Sequence, residues 1–341
     1  MSSSPLRLSF LAFVEHARVE GNRSRDLQEG LELFELAEDL GYDVGYVRHR
    51  HLEPYLSAPL PFLAAAGQRT RRLGLGVSVT AIRFENPARL AEEAATVDLL
   101  TGGRLHLGLS SGYANNEGTF GQAYGAVDGA LREVVDRRVA RFVQAISGEA
   151  ISVADEQVSF AAAGTPLAVQ PFSPGLRDRI AYGAGSLASA ERTGRQGLGL
   201  QLSTLNTESN GASFEQTQLE CIRAYRAEHV RATGRPGHVS VSRQILPVTS
   251  EQDAADLEWL LERDRTRQAE QAAGTSPFQF GKVPSGSPEE IAEALSGDVA
   301  LREADELVLA LPFDHPARVV RRILAVVAEE VAPALGRKAV A

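Results

Sequence analysis

Eight apolar strand patterns alternating with helical patterns over 341 residues predict an α/β protein folded as a (β/α)8 TIM-type barrel with insertions. One unit shows the pattern most clearly. Leu73, Leu75, Val77 and Val79 alternate with Gly74, Gly76 and Ser78, and Leu105, Leu107 and Leu109 alternate with His106, Gly108 and Ser110. Large residues on one face and mostly tiny ones on the other suit parallel strands with helices outside and a crowded interior. The rival doubly wound sheet needs fewer strands and usually a Gly-x-Gly-x-x-Gly turn, which does not follow the first strand here.

Arg7–Val14 reads as the first strand, and Asp26–Leu40 as a helix with Leu27, Leu31 and Phe34 on one face and Gly41 as its stop. Asp43–Arg48 is the second strand and Pro59–Gln68 its helix. The helix between strands three and four starts at Asn86 with Pro87 in its first turn and stops at Gly102-Gly103. Gly129–Ile146 is a long helix. Arg179–Ala184 and Gly199–Ser203 are strands five and six, followed by helices Leu187–Gln196 and Ser213–Thr233. Val239–Pro247 is strand seven, with helix Glu251–Ala272, and Asp305–Leu311 is strand eight. Pro316–Glu330 closes the chain, with Val319, Ile323 and Val327 at helical spacing. The expectation is one barrel domain over residues 1–341 with two interruptions. Residues 148–174 suggest a small hairpin of Ile151–Val153 with Val158–Phe160. Residues 273–288 read as a loop, with Ala273–Ser287 a candidate lid at the mouth.

Composition narrows the function. Hydrophobic residues make up 43% and charged residues 23%, enough for a large core. A net charge of −9 and the lack of a basic stripe disfavour nucleic acid. Cys221 is the single cysteine, no Cys/His cluster has zinc spacing, and no metal is expected. No signal-like N-terminus and no 18-residue apolar run are present, so a cytoplasmic, non-membrane protein is the expectation.

Two groups at strand C-termini could carry chemistry. Tyr182-Gly-Ala-Gly-Ser186 ends strand five and opens a helix. Small residues Ala184 and Gly185 let backbone N–H groups approach an anion, and Ser186 and Ser189 add hydroxyls; an ordinary N-cap serine is the alternative. Arg48-His-Arg-His51 ends strand two, where barrel enzymes hold catalytic groups. His49 or His51 suits proton exchange and Arg50 an anionic substrate; a surface basic turn paired with Glu53 is the alternative. His106 reads as a packed core histidine, and His16, His229, His238 and His315 show no partner pattern.

The chain resembles the bacterial luciferase-like family of FMN-dependent monooxygenases. The resemblance runs through Leu40-Gly-Tyr-Asp43, Ser57-Ala-Pro-Leu60, Gly76, Asn86-Pro87, Ala91-Glu-Glu93, Asp98, Gly103-Arg104 and Ser110-Ser-Gly112. It continues in Tyr182–Ser186, Ser285–Ile291 and Asp305–Leu309. It implies a luciferase-like barrel that uses reduced FMN from a separate reductase, and O2, on an organic substrate, commonly as a homodimer. By the same resemblance the FMN phosphate sits at Ser186, and Ser78-Val79 lies under the flavin ring. Ser110, Ser111 and Tyr113 flank the cofactor, and Arg132 supplies a cation. Tyr113 as a plain loop residue and Arg132 as a solvated helix arginine stay open. Two departures matter. Arg50 stands at the family's general-base histidine, and Ser111 at an arginine that reaches the phosphate. A deazaflavin-dependent reductase or dehydrogenase and a non-catalytic flavin-binding protein therefore remain alternatives.

Overall fold

The computed structural model describes residues 5–16, 24–112, 117–208 and 211–337. Eight parallel strands close into a barrel: β1 Arg7–Phe13, β2 Val44–Arg48, β3 Gly74–Ala81, β4 Leu105–Ser110, β5 Ile180–Ala184, β6 Gly199–Leu202, β7 Val239–Arg243 and β8 Glu306–Ala310. Each strand pairs with its neighbours in chain order, and β8 pairs back on β1 through Arg7↔Glu306 to Leu11↔Ala310. The helices are α1 Arg25–Asp39, α2 Pro59–Arg69, α3 Pro87–Leu100, α4 Glu117–Tyr124, α5 Leu131–Ile146, α6 Leu187–Arg195, α7 Phe214–Thr233, α8 Glu251–Ala272, α9 Pro288–Gly297 and α10 Ala317–Val326.

Local chemistry explains the punctuation. The Asn86 side chain accepts from the backbone N–H of Ala88 and Arg89, and Pro87 opens α3. Gly102 and Gly103 follow α3 at φ +68 and +80, where a side chain would be strained. Ser287 and Glu290 form a capping box at the start of α9. Two residues of the family pattern turn out to be struts. The Arg104 guanidinium donates to the carbonyls of Gly67, Thr70, Leu73 and Thr101 and to the Thr70 hydroxyl, tying the end of α2 to β4. Asp98, fully buried, accepts from Leu105 N–H, the Ser173 hydroxyl and Arg179.

The main apolar core lies between the strands and the helices. The barrel interior holds a small separate cluster of Leu11, Val44, Tyr46 and Val308, with a polar floor beneath it. Tiny residues make room there. A Cβ on Gly76 would lie 2.3 Å from the Tyr46 ring, and one on Gly108 would lie 2.1 Å from Gln201 Oε1. The inward phase expected for Gly76 and Gly108 therefore holds. Val79 departs from its expected outward phase. A Cβ on Gly108 or Gly183 would meet it at 2.9 or 3.1 Å, inside the barrel. The β3–β4 register slips between Val77↔Leu107 and Thr80↔Leu109, and the extra residue in β3 resets the alternation. The Ser78–Val79 peptide within this bulge is cis.

Other elements also differ from the sequence reading. Ala150–Val153 pairs with Pro166–Ala168, and Val158 instead bridges Ala161 at the tip of the excursion. Helix α4 was not expected. Its pattern is short and weakly periodic, with Gly118 and Gly121 inside it. Residues 273–287 are tied down rather than free. Gln279–Phe280 pairs with Leu205–Asn206, and Ser285–Gly286 pairs with Leu246–Pro247. The expected closing helix is α-helical only to Val326 and continues as a π turn.

On the floor, Glu306 is completely buried. Its carboxylate accepts from the Ser9 hydroxyl, faces the Tyr46 hydroxyl at 3.3 Å, and meets His238 Nε2 at 2.7 Å. Burial alone would raise its pKa. The His238 hydrogen bond and charge, with Arg7 and Ser9, instead hold it down at about 2 against an ordinary 4.5. Its stabilisation is thus complete above about pH 4.5 and is lost as the pH falls through about 2. Glu306→Gln should lose roughly 3 kcal/mol at pH 7, the scale set by a carboxyl held down from 4.5 to about 2. Its deficit against the natural protein should shrink between pH 4.5 and 2 in urea titrations. A pH-independent deficit would mean that Glu306 does not carry the charge. Gly108→Val should cost about 1–3 kcal/mol by overpacking against Gln201 and the Val77 carbonyl. An unchanged denaturation midpoint would show that β4 presents the other face inward.

Candidate active site

The C-terminal ends of the strands open into a cavity of about 810 Å³, near the upper end for small-molecule sites. One end is built on the β5–α6 turn. Ser186 is the N-cap of α6, and its hydroxyl accepts from Ser189 N–H at 3.3 Å. Thr207 pins the turn by donating to the Gly185 carbonyl from both its N–H and its hydroxyl. Ala184, Gly185, Ser186 and Ser189 all line the cavity.

Two arginines face this turn. Arg132 lines the cavity from the start of α5, but its side chain is 62% exposed and pairs with Asp136 at 3.2 Å. Arg192, which sequence reasoning passed over, is 15% exposed. It approaches the other Asp136 oxygen at 3.4 Å and donates to the Ser189 hydroxyl at 3.2 Å, and its buried Nη1 has no partner. The signal was present, since Arg192 follows Ser189 by three residues and shares its helix face.

Across the barrel, β2 ends at Arg48 and the chain turns sharply through His49, Arg50 and His51, all of which line the cavity. The turn is fixed by Arg50 N–H to the Leu56 carbonyl and by Leu56 N–H to the Val14 carbonyl. His49 is 7% exposed and neither ring nitrogen makes a hydrogen bond of normal geometry, although the Ser57 and Val79 backbones lie near it. Burial, with His51 and Arg48 nearby, pushes its pKa down to about 4. Burial also lowers His51, whose ring centroid is 5.0 Å from that of His49. The group is therefore two neutral imidazoles beside guanidiniums, and Arg50 pairs with Glu53 at 3.2 Å, as the basic-turn reading expected.

Between the ends lie Ser78 and Val79 from β3 and Ser110 and Ser111 from β4. Ser110 Oγ accepts from Gly112 N–H, and Ser111 Oγ donates to the Gly112 carbonyl. Tyr113 lies outside the described residues. Gln201 on β6 also faces the cavity with its Oε1 orphaned, a residue the sequence reading did not single out. Orphaned polar atoms thus recur around the cavity: Arg192 Nη1 at one end, Arg50 Nε and the imidazole nitrogens at the other, and Gln201 Oε1 between them. Such groups are costly to leave unmet and point to a polar ligand. Among the described residues no cluster of His, Cys, Asp and Glu could hold a metal ion, and no helix is long and apolar enough to cross a membrane.

Comparison with known proteins bears on this cavity. The chain is 36% identical over 109 residues to 4-hydroxyprotoasukamycin monooxygenase of Streptomyces nodosus subsp. asukaensis, covering 31% of this chain and 29% of that protein. It is 39% identical over 93 residues to an F420-dependent glucose-6-phosphate dehydrogenase of Intrasporangium calvum, covering 26% and 28%. The matched stretches thus span under a third of these relatives. Monooxygenase RslO1 from Streptomyces bottropensis shares the fold, with a TM-score of 0.75 at 21% identity over 96% of this chain and 99% of that one. The model of the luciferase-like monooxygenases matches residues 7–302. Because that match runs from the first barrel strand through α9, across every wall of the cavity except β8, the chain belongs to the luciferase-like monooxygenase family.

Proposed function

We propose that the chain is an FMN-dependent monooxygenase that uses reduced FMN, delivered by a separate flavin reductase, and O2 to oxidise a small organic substrate. The observation that carries this reading is the two-ended cavity. A small-residue helix start with a guanidinium whose Nη1 lacks a partner stands at one end, and two neutral imidazoles stand at the other. The residues fit the cofactor. A phosphate dianion would satisfy Arg192 Nη1 and the α6 N-terminus at Ala184, Gly185, Ser186 and Ser189, with Arg132 at the rim. A flat ring with donors and acceptors would lie among Ser78, Val79, Ser110, Ser111 and Gln201. Bound there, reduced FMN supplies the electrons that activate O2. The chain's part is to orient both reactants, exclude bulk water and exchange a proton at the imidazoles of His51 and His49, while Arg50 holds an acidic substrate.

A cytoplasmic homodimer is part of the same proposal. Cys221 is a buried free thiol, in keeping with a reducing compartment. Leu99 and Leu100 leave apolar surface at the end of α3 for a second copy to cover. Hydride transfer with F420 on the same barrel is the second reading, favoured by the relative from Intrasporangium calvum. Anaerobic titration with reduced FMN, oxidised FMN and F420, followed by exposure to O2, separates these. Reduced-FMN binding with O2-dependent product formation supports the proposal. F420 preference overturns it, and flavin binding without oxidation of any substrate marks a non-catalytic binder.

The geometry sets three expectations. Ser186→Asp keeps a good N-cap but adds repulsion, and Arg192→Gln removes a cation. Each should weaken FMN binding at least roughly tenfold, on the order of 1.4 kcal/mol, and leave riboflavin affinity unchanged. Equal losses for both flavins would place the phosphate elsewhere. His51→Ala should slow turnover roughly 10²-fold with little change in FMN affinity. Because His49 stays neutral until about pH 4, turnover should lose no activity to its protonation until the pH falls towards that value. If neither His49→Ala nor His51→Ala alters the rate, the pair is structural.

A further inference from the structure

Away from the α6 turn, the cavity wall is aromatic. Phe84 closes the short turn after β3, and Phe120 and Tyr124 stand one turn apart on α4. The Phe84 ring lies 5.2 Å from Phe120, 5.4 Å from Tyr124 and 5.4 Å from His51, and His51 lies 4.8 Å from Tyr124. His49 extends the run through its 5.0 Å edge contact with His51. The buried Arg83 guanidinium stacks 4.8 Å over Phe84 and helps hold that ring in place. His51, Phe84 and Phe120 present this surface to the cavity.

The charges beside this wall are unequal. Among the described lining residues Arg48 and Arg50 stand beside it, against Glu53 as the one carboxylate. The Arg50–Glu53 pair is 3.2 Å apart with both side chains more than a third exposed, so it is weak and open to exchange. Buried Nε of Arg50 has no partner. The lowered pKa values of His49 and His51 keep both rings uncharged at neutral pH, able to stack or to accept a proton. A saturated chain would bury apolar area on such a wall. A planar ring would also gain the offset and edge-to-face contacts that aromatic groups make with one another.

We propose that this end of the cavity selects a planar aromatic substrate bearing an anionic group, its ring against His51, Phe84 and Phe120 and its anion at Arg50. The inference rests on the monooxygenase reading for its reaction but not for its binding. Calorimetric titration of the protein with and without FMN tests it, using 4-hydroxybenzoate, its saturated analogue 4-hydroxycyclohexanecarboxylate, and the uncharged methyl ester. The aromatic acid should bind at least tenfold more tightly than either of the others. Phe84→Leu and Phe120→Leu keep apolar bulk and should abolish the preference over the saturated acid. Arg50→Gln should abolish the preference over the ester and leave the ring preference, and Arg50→Lys should restore part of the loss. FMN affinity should be unchanged in all four variants. Equal affinity for the three probes, absence of binding in both states, or preferences that survive the substitutions overturns the proposal. Selective probe binding without FMN binding would sink the cofactor reading and leave this one standing.

Discussion

A carboxylate sealed inside a barrel must have its charge answered, and the way Glu306 is answered organises the whole floor. Its partners come from β1, β2 and the residue before β7, so one group on β8 gathers the two ends of the chain. Closure of a parallel barrel depends on that seam, because β8 must find β1 across almost the full sequence. Breaking such a pair exposes an unmet buried charge, which makes the contact a strong constraint on register even where its net contribution is modest. The opposite side is held by Asp98 and Arg104, which join α2, α3, β4 and the start of β5.

With the floor fixed, the upper barrel can be left incompletely satisfied. Glycines at 76 and 108 admit the side chain of Tyr46 below the cavity and that of Gln201 at its base, and the bulge in β3 turns Val79 into it. Several orphaned polar atoms line the cavity at the strand C-termini, among them Arg50 Nε, Gln201 Oε1 and Arg192 Nη1, while Glu306, Asp98 and Arg104 lower down are bonded. That separation of a stable base from an incompletely bonded mouth is the usual division of labour in such barrels.

Much of this was legible in the chain itself. Period-two runs bounded by caps and glycines located all eight strands, and the serines at strand ends fall on the rim where the cavity opens. What escaped notice shares one physical trait, dependence on partners distant in sequence. Val79 changes face because of a slip against β4, which alternation within β3 cannot report. His238 reads as solitary because its carboxylate lies 68 residues away. Ile151–Val153 pairs with Pro166–Ala168, whose leading proline masks a strand pattern. Arg192 was within reach, since only helical spacing separates it from Ser189.

The two ends of the cavity are also written differently in the chain. One stretch, residues 182–192, supplies the α6 turn and its guanidinium. The aromatic end is pieced together from the β2 turn, the turn after β3 and α4, none of which the first stretch includes. Substitutions can therefore accumulate in the second set without disturbing the first. A lineage built on this plan is free to diversify its aromatic end while inheriting its α6 turn intact.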